Sequence, residues 1–212
     1  MSLVPPAGGP IADWMKLPHA EPGNRIGLFG GSFNPPHSGH RLVAETALKR
    51  LGLDQVWWLV TPGNPLKDPS ALAPLEMRIH RTSALADHPR MKVTAHECLL
   101  GTPYTARTIE MLQNRHPALR FVWVMGADNL ASFHRWQDWR SIVARVPVAI
   151  VNRPGSGFAT LSSPMAQAFH ADRLAEEDAG LLPICKPPAW VFLHAPLDPT
   201  SSTRLRQQDT PG

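Results

Sequence analysis

Apolar residues in this chain gather into short continuous runs, and the segments between those runs repeat apolar residues at helical spacing. Arg25 to Phe29 (Arg-Ile-Gly-Leu-Phe), Gln55 to Val60, Met91 to Ala95, Leu119 to Met125, Val146 to Val151 and Trp190 to His194 have the length and apolar character of buried strands. Ser38 to Leu51, Leu75 to Ala86 and Thr105 to Arg115 have helical periodicity, and His116-Pro117 stops the last of them. The stretch from Gly155 to Pro188 is polar and proline-containing, and its spacing predicts a helix over Pro164 to Glu177. A final short helix is predicted over Ser201 to Gln208. Thr61-Pro62-Gly63-Asn64, Gly126-Ala127-Asp128-Asn129 and Arg153-Pro154-Gly155 follow strands and are expected as loops. Strands alternating with helices predict an α/β fold, a Rossmann-like doubly wound parallel sheet whose ligand sits outside the C-terminal ends of the strands.

Length and composition fit one domain. The chain has 212 residues, 43% hydrophobic and 18% charged, enough to cover both faces of a sheet and too few for two ordinary enzyme domains. Its 23 prolines fall mostly between the periodic segments, where they punctuate turns. The exception is the start: residues 1–24, rich in proline and glycine, are expected to be a flexible extension preceding a domain at 25–208. That segment lacks the basic beginning and continuous apolar core of a signal peptide, and no apolar run is long enough to cross a bilayer, so a cytoplasmic protein with no membrane partner is expected. Cys98 and Cys185 have neither metal-ligand nor disulfide spacing and suit a reducing compartment. The net charge of +4 is spread along the chain without a run of like charges, and no basic and aromatic interleaving points to nucleic acid.

The chemistry concentrates at Gly30 to His40, Gly-Gly-Ser-Phe-Asn-Pro-Pro-His-Ser-Gly-His, between the first strand and the first long helix. Glycines without a Cβ let an anion approach backbone N–H groups, and the helix start behind them adds unpaired donors and a positive dipole end. Pro35 and Pro36 stiffen the turn. The three-residue spacing of His37 and His40 places both imidazoles on the first helical turn, toward one anion. At the other end of the chain, Thr200-Ser201-Ser202-Thr203-Arg204-Leu205-Arg206 puts hydroxyls at a helix start and guanidinium groups within two turns, a second anion-binding arrangement.

The first segment resembles the H-x-G-H signature of the nucleotidylyltransferase superfamily in its longer form, G-G-[ST]-F-[DN]-P-x-H-x-G-H, found in nicotinate-nucleotide adenylyltransferases. The second resembles that family's I-S-S-T-x-[IL]-R, with Thr200 in place of the usual Ile. Weaker likenesses lie between them. Asn64-Pro65-Leu66-Lys67 resembles a loop with a phosphate-facing lysine; Thr102-Pro103-Tyr104-Thr105 resembles [ST]-x-Y-T, where a backbone amide helps to bind the pyridine carboxylate; Gly126 and Asp128 resemble a G-x-D whose carboxylate accepts from ribose hydroxyls. Phe133-His134-Arg135-Trp136 resembles a stretch in which Trp136 stacks on the nicotinate ring, a role for which indole is suited. Trp139, a few residues on, is the stronger candidate for the core.

The resemblance implies a nucleotidylyltransferase-type fold that transfers the adenylyl group of ATP to nicotinate mononucleotide, releasing pyrophosphate, with Mg²⁺ carried on ATP. It implies catalytic roles for His37, His40 and Arg206. ATP and phosphate contacts fall to Gly30, Gly31, Ser32, Phe33, Lys67, Gly126, Asp128, Ser201, Ser202 and Thr203, and pyridine-nucleotide contacts to Tyr104, Thr105 and Trp136. No resident metal cluster is expected. An acceptor carrying nicotinamide, another phosphate acceptor, and a non-catalytic nucleotide sensor are the alternatives. A phosphopantetheine acceptor leaves Tyr104 and Trp136 without a role, and a class I aminoacyl-tRNA synthetase lacks its lysine loop here. The sequence leaves the oligomeric state open.

Overall fold

In the computed structural model, the described residues are 11–63, 72–100, 104–152 and 162–195. After a short α1 (Ile11–Trp14) the chain runs β1 (Arg25–Gly31), α2 (Ser38–Arg50), β2 (Gln55–Val60), α3 (Leu75–Leu85), β3 (Met91–Thr94), a 3-10 turn (His96–Leu99) and α4 (Thr105–Arg115). The second half adds β4 (Arg120–Gly126), α5 (Ala127–Phe133), α6 (Trp139–Arg145), β5 (Val148–Asn152), α7 (Pro164–Ala168), two 3-10 segments (His170–Asp172 and Glu176–Ile184) and β6 (Trp190–His194).

The six strands form one sheet in the order β3-β2-β1-β4-β5-β6. Every neighbouring pair is parallel, with Leu28 opposite Trp57 on one side and Trp123 on the other. The order reverses between β1 and β4, so loops after these two strands diverge to opposite faces and leave a crevice at their C-terminal ends. Two apolar layers cover the sheet, as the unbroken apolar runs require. Phe29, Trp58, Val124, Val151 and Leu193 face α2, α3 and the Glu176–Ile184 segment; Leu28, Trp57, Trp123, Ile150 and Phe192 face α4 to α7.

Four expectations need correction. Residues 11–24 are docked rather than flexible: Trp14 is buried, its carbonyl accepts from the Ala95 N–H at 2.7 Å and the Thr94 hydroxyl at 2.9 Å, and the Gly23 N–H donates to Ala118. One indole in a proline-rich stretch supplies what local periodicity lacks. Gly126 to Asn129 is not a loop: Gly126 ends β4 and Ala127 opens α5 at once, because Ala127, Leu130 and Phe133 bury one helical stripe. The helix from Pro164 stops at Ala168, since Leu174 donates its N–H to the Trp190 carbonyl at 2.8 Å and the chain runs beside β6 instead. β1 continues through Gly31, so the glycines belong to the strand and the turn starts at Ser32. The predicted helix at Ser201 lies outside the described residues.

Candidate active site

The crevice at the β1/β4 reversal is a cavity of about 540 Å³. Its floor comes from the end of β1 and the following turn (Gly30, Gly31, Ser32, Phe33), one wall from the start of α2 (His37, His40), and another from the entry to α4 (Tyr104, Thr105), from α5 (Asp128) and from the turn after it (Trp136). Every residue in the described part of the chain that was singled out from sequence for this chemistry lines the cavity, except Gly126, which ends β4 beside Asp128. Lys67, Ser201, Ser202, Thr203 and Arg206 lie outside the described residues.

His37 precedes α2 in an extended conformation, and its backbone N–H donates to Nδ1 of His40 at 3.2 Å. A nitrogen that accepts carries no proton, so the neutral His40 ring bears its hydrogen on Nε2 and offers a donor at its far edge. The two imidazole centroids are 3.8 Å apart. Phe33 fixes this pair from below. It is buried, adopts a positive φ of 46°, and meets His40 edge-on at 5.2 Å and Phe29 at 5.5 Å. A left-handed phenylalanine is strained, and strain of this kind persists where surrounding packing over-determines it.

The glycines also have a packing role that the sequence does not suggest. A Cβ on Gly30 would come within 2.5 Å of Cη2 of Trp123, and one on Gly31 within 3.1 Å of the Phe33 ring. Their missing side chains make room for the aromatic floor first. At Gly126 the missing Cβ leaves space for the Asp128 carboxylate, which folds back over it. That close approach accounts for the Gly-x-Asp spacing and holds the carboxylate at the rim.

Trp136 is half-buried and held edge-on by Trp123 at 6.1 Å and Phe133 at 5.2 Å. Trp139 points into the core, packed on Phe133 and Phe169. Trp139 is thus the core member of the pair, and Trp136 lines the cavity. Tyr104 caps α4 through its backbone, its carbonyl accepting from the Arg107 N–H at 3.0 Å, with no side-chain cap.

Sequence reasoning missed Arg78. It is 1% exposed, and its guanidinium donates to the carbonyls of Ser32 and Thr61 (both 2.8 Å), Ala73 (3.0 Å) and Pro62 (3.2 Å). One side chain from α3 therefore ties the turn after β1 to the turn after β2. Asn34 adds a second tie, its side-chain oxygen accepting from the Ala73 N–H at 3.2 Å. An arginine in a polar helical stretch carries no local sign of such burial. Thr61, Asn129, Arg135 and Gln137 also line the cavity without having been singled out.

Comparison with known proteins places this cleft in a family. The cytidylyltransferase-like family description matches residues 28–208. A Rhizobium meliloti (strain 1021) protein named probable nicotinate-nucleotide adenylyltransferase is 64% identical over 181 residues, 85% of this chain and 96% of the relative. The chain belongs to the nicotinate-nucleotide adenylyltransferase family. A second member, from Agrobacterium fabrum (strain C58 / ATCC 33970), is 60% identical over 85% of this chain and 97% of its own length. The fold is shared with the nicotinic acid mononucleotide adenylyltransferase of Plasmodium falciparum, solved in complex with APC (TM-score 0.59, 14% identity, 87% of this chain and 83% of that one). The same protein in complex with NaAD gives a TM-score of 0.58 at 16% identity, covering 86% of this chain and 82% of that one.

Proposed function

We propose that the protein joins ATP to nicotinate mononucleotide, giving nicotinate adenine dinucleotide and pyrophosphate. The observation that carries this reading is that one cavity brings together the imidazole pair, the Asp128 carboxylate, the Tyr104-Thr105 helix start and the indole of Trp136. By resemblance, those groups would serve phosphate, ribose, pyridine carboxylate and pyridine ring.

A phosphate oxygen of the mononucleotide attacks the α-phosphorus of ATP; the bond from that phosphorus to the oxygen bridging to the β-phosphorus breaks, and pyrophosphate departs with the bond's electrons. The nucleophile is already an anion at neutral pH, so the protein supplies alignment and charge stabilisation rather than a general base. His37 serves the α-phosphate side. His40, with its hydrogen on Nε2, serves the β-phosphate and leaving group. Arg206, Lys67 and the hydroxyls of Ser201, Ser202 and Thr203 complete the phosphate contacts by resemblance. Mg²⁺ enters with ATP, held by phosphate oxygens and water. Asp128 accepts from ribose hydroxyls, and Trp136 stacks on the ring.

The acid is favoured over the amide because a backbone amide at the α4 start and the positive Arg135 on the rim both reward a carboxylate. Pyrophosphate release from ATP, measured side by side with the acid and amide mononucleotides, tests both levels. Turnover with the acid alone, or much faster than with the amide, is the expected result. No release with either acceptor overturns the reading, and equal rates overturn the specificity. Purified, folded His40→Ala is expected to lose roughly 10²-fold or more in kcat.

A further inference from the structure

A second cavity, about 510 Å³, opens between the N-terminal segment, the His96–Leu99 turn and the C-terminal end of α4. Among the described residues its ionisable lining is all basic: Lys16, His19, His96, Arg115 and His116 line it, and no carboxylate does. The rest of the wall is mostly apolar, with Met15, Leu17 and Leu99 contributing the larger side chains. The N-terminal wall precedes residue 28, where the cytidylyltransferase-like match begins.

The basic groups are unequally committed. Lys16 pairs with Asp13 at 2.8 Å and His19 with Glu21 at 2.7 Å, both on the exposed outer side, where such pairs are weak. Nδ1 of His96 meets the Met15 carbonyl at 2.7 Å; a carbonyl only accepts, so that nitrogen carries the hydrogen and Nε2 is left over. Nε2 of His116 is buried without a hydrogen-bond partner. Burial lowers the pKa of His116, and the charges of Arg115 and His96 lower it further. Arg115 makes no ion pair among the described residues. Cations at the end of α4 also complement its dipole, which accounts for Arg115 and His116. It does not account for Lys16 and His96 on the facing walls, nor for the hollow between them.

We propose that this cavity is a binding site for a small organic anion, an apolar body bearing one carboxylate or phosphate. The oxyanion sits among His96, Arg115 and His116, and the apolar body lies against Met15, Leu17 and Leu99. Such an anion stabilises the His116 imidazolium, so binding strengthens as the pH falls and the ring protonates, against the opposing charges of Arg115, His96, Lys16 and His19.

The test titrates the full chain with 2-naphthoate, 2-naphthyl phosphate and neutral 2-naphthol, following the imidazole ¹⁵N resonances assigned by His96→Gln and His116→Gln. The two acids are compared to learn which oxyanion the site prefers. At least one acid is expected to shift His96 and His116 and to bind about tenfold more tightly than the alcohol; Arg115→Glu and Lys16→Glu should each weaken it about tenfold. Both positions are exposed, so an unchanged melting temperature checks the fold, and Arg115→Gln with Lys16→Gln replaces any variant that fails. The proposal is overturned if the alcohol binds as well as the acids, if only His37 and His40 respond, or if charge reversal leaves affinity unchanged.

Discussion

Gly30 illustrates how one hydrogen atom in place of a methyl sets the floor of the cleft. With Trp123 only 2.5 Å from where a Cβ would stand, Gly30→Ala must push the indole aside. Overpacking of this kind costs about 1–3 kcal/mol, and because Trp123 supports Trp136 edge-on, the displacement reaches the ring pocket. Urea denaturation should show the stability loss, and the KM for the pyridine mononucleotide should rise more than that for ATP. The tryptophan pair gives a sharper contrast. Trp139→Ala removes a core side chain and is expected to cost about 3–5 kcal/mol. Trp136→Ala leaves the core in place, so its expected effect is a KM for the mononucleotide raised about tenfold or more, with a much smaller shift in melting temperature.

At the scale of elements, α3 contributes to the site without touching it. Its Arg78 spans the turns after β1 and β2 with four hydrogen bonds to carbonyls, a geometry that needs a planar, forked donor. Arg78→Met leaves those carbonyls without their donor and is expected to lower stability by about 3 kcal/mol. Arg78→Lys should restore little, since an ammonium cannot reach both turns at once; comparing melting temperatures and kcat of the two variants checks this. Elements with their own periodicity were legible beforehand: β2, α4 and β6 run over the residues their apolar runs and stop signals mark out. What failed depended on distant partners. Docking of Trp14 beside β3, the early end of α7 where the chain turns to β6, and the immediate restart of helix after Gly126 are all decided by tertiary contacts. The site followed the same rule. His37, His40, Asp128 and Trp136 announce themselves by motif, whereas Arg78 and the aromatic reason for Gly30 emerge only from packing.

For the whole molecule, the buried acid Glu97 makes stability depend on pH. It lies in the His96–Leu99 turn, 2% exposed, accepting from the Thr108 hydroxyl at 2.8 Å with its other oxygen unpartnered. Burial pushes its pKa up to about 7, and the Thr108 hydrogen bond only partly opposes this. An acid with a raised folded pKa keeps its proton where the unfolded chain has lost it. Folded chains then bind more protons between the ordinary carboxylate value and about 7, so stability falls as pH rises through that window and levels off above it. The loss amounts to roughly 3 kcal/mol at most. Other groups act in the opposite direction. Glu110 is held low by the Arg107 hydrogen bond and the Arg145 charge, and Glu176 is lowered by His194 and Arg50 despite its burial. With His116 also lowered, by burial first, these three weaken the fold as pH falls. The raw profile therefore mixes both trends, and the difference between Glu97→Gln and wild type isolates one. A glutamine keeps an acceptor for Thr108 and a neutral second atom in place of the carboxyl hydroxyl, so the two proteins should match near pH 4.5 and diverge as pH rises. By pH 8 the variant is expected to be more stable by about 1–3 kcal/mol in urea midpoints. A constant difference across the range would mean that Glu97 titrates alike in the folded and unfolded chains and that its burial is without consequence for its proton.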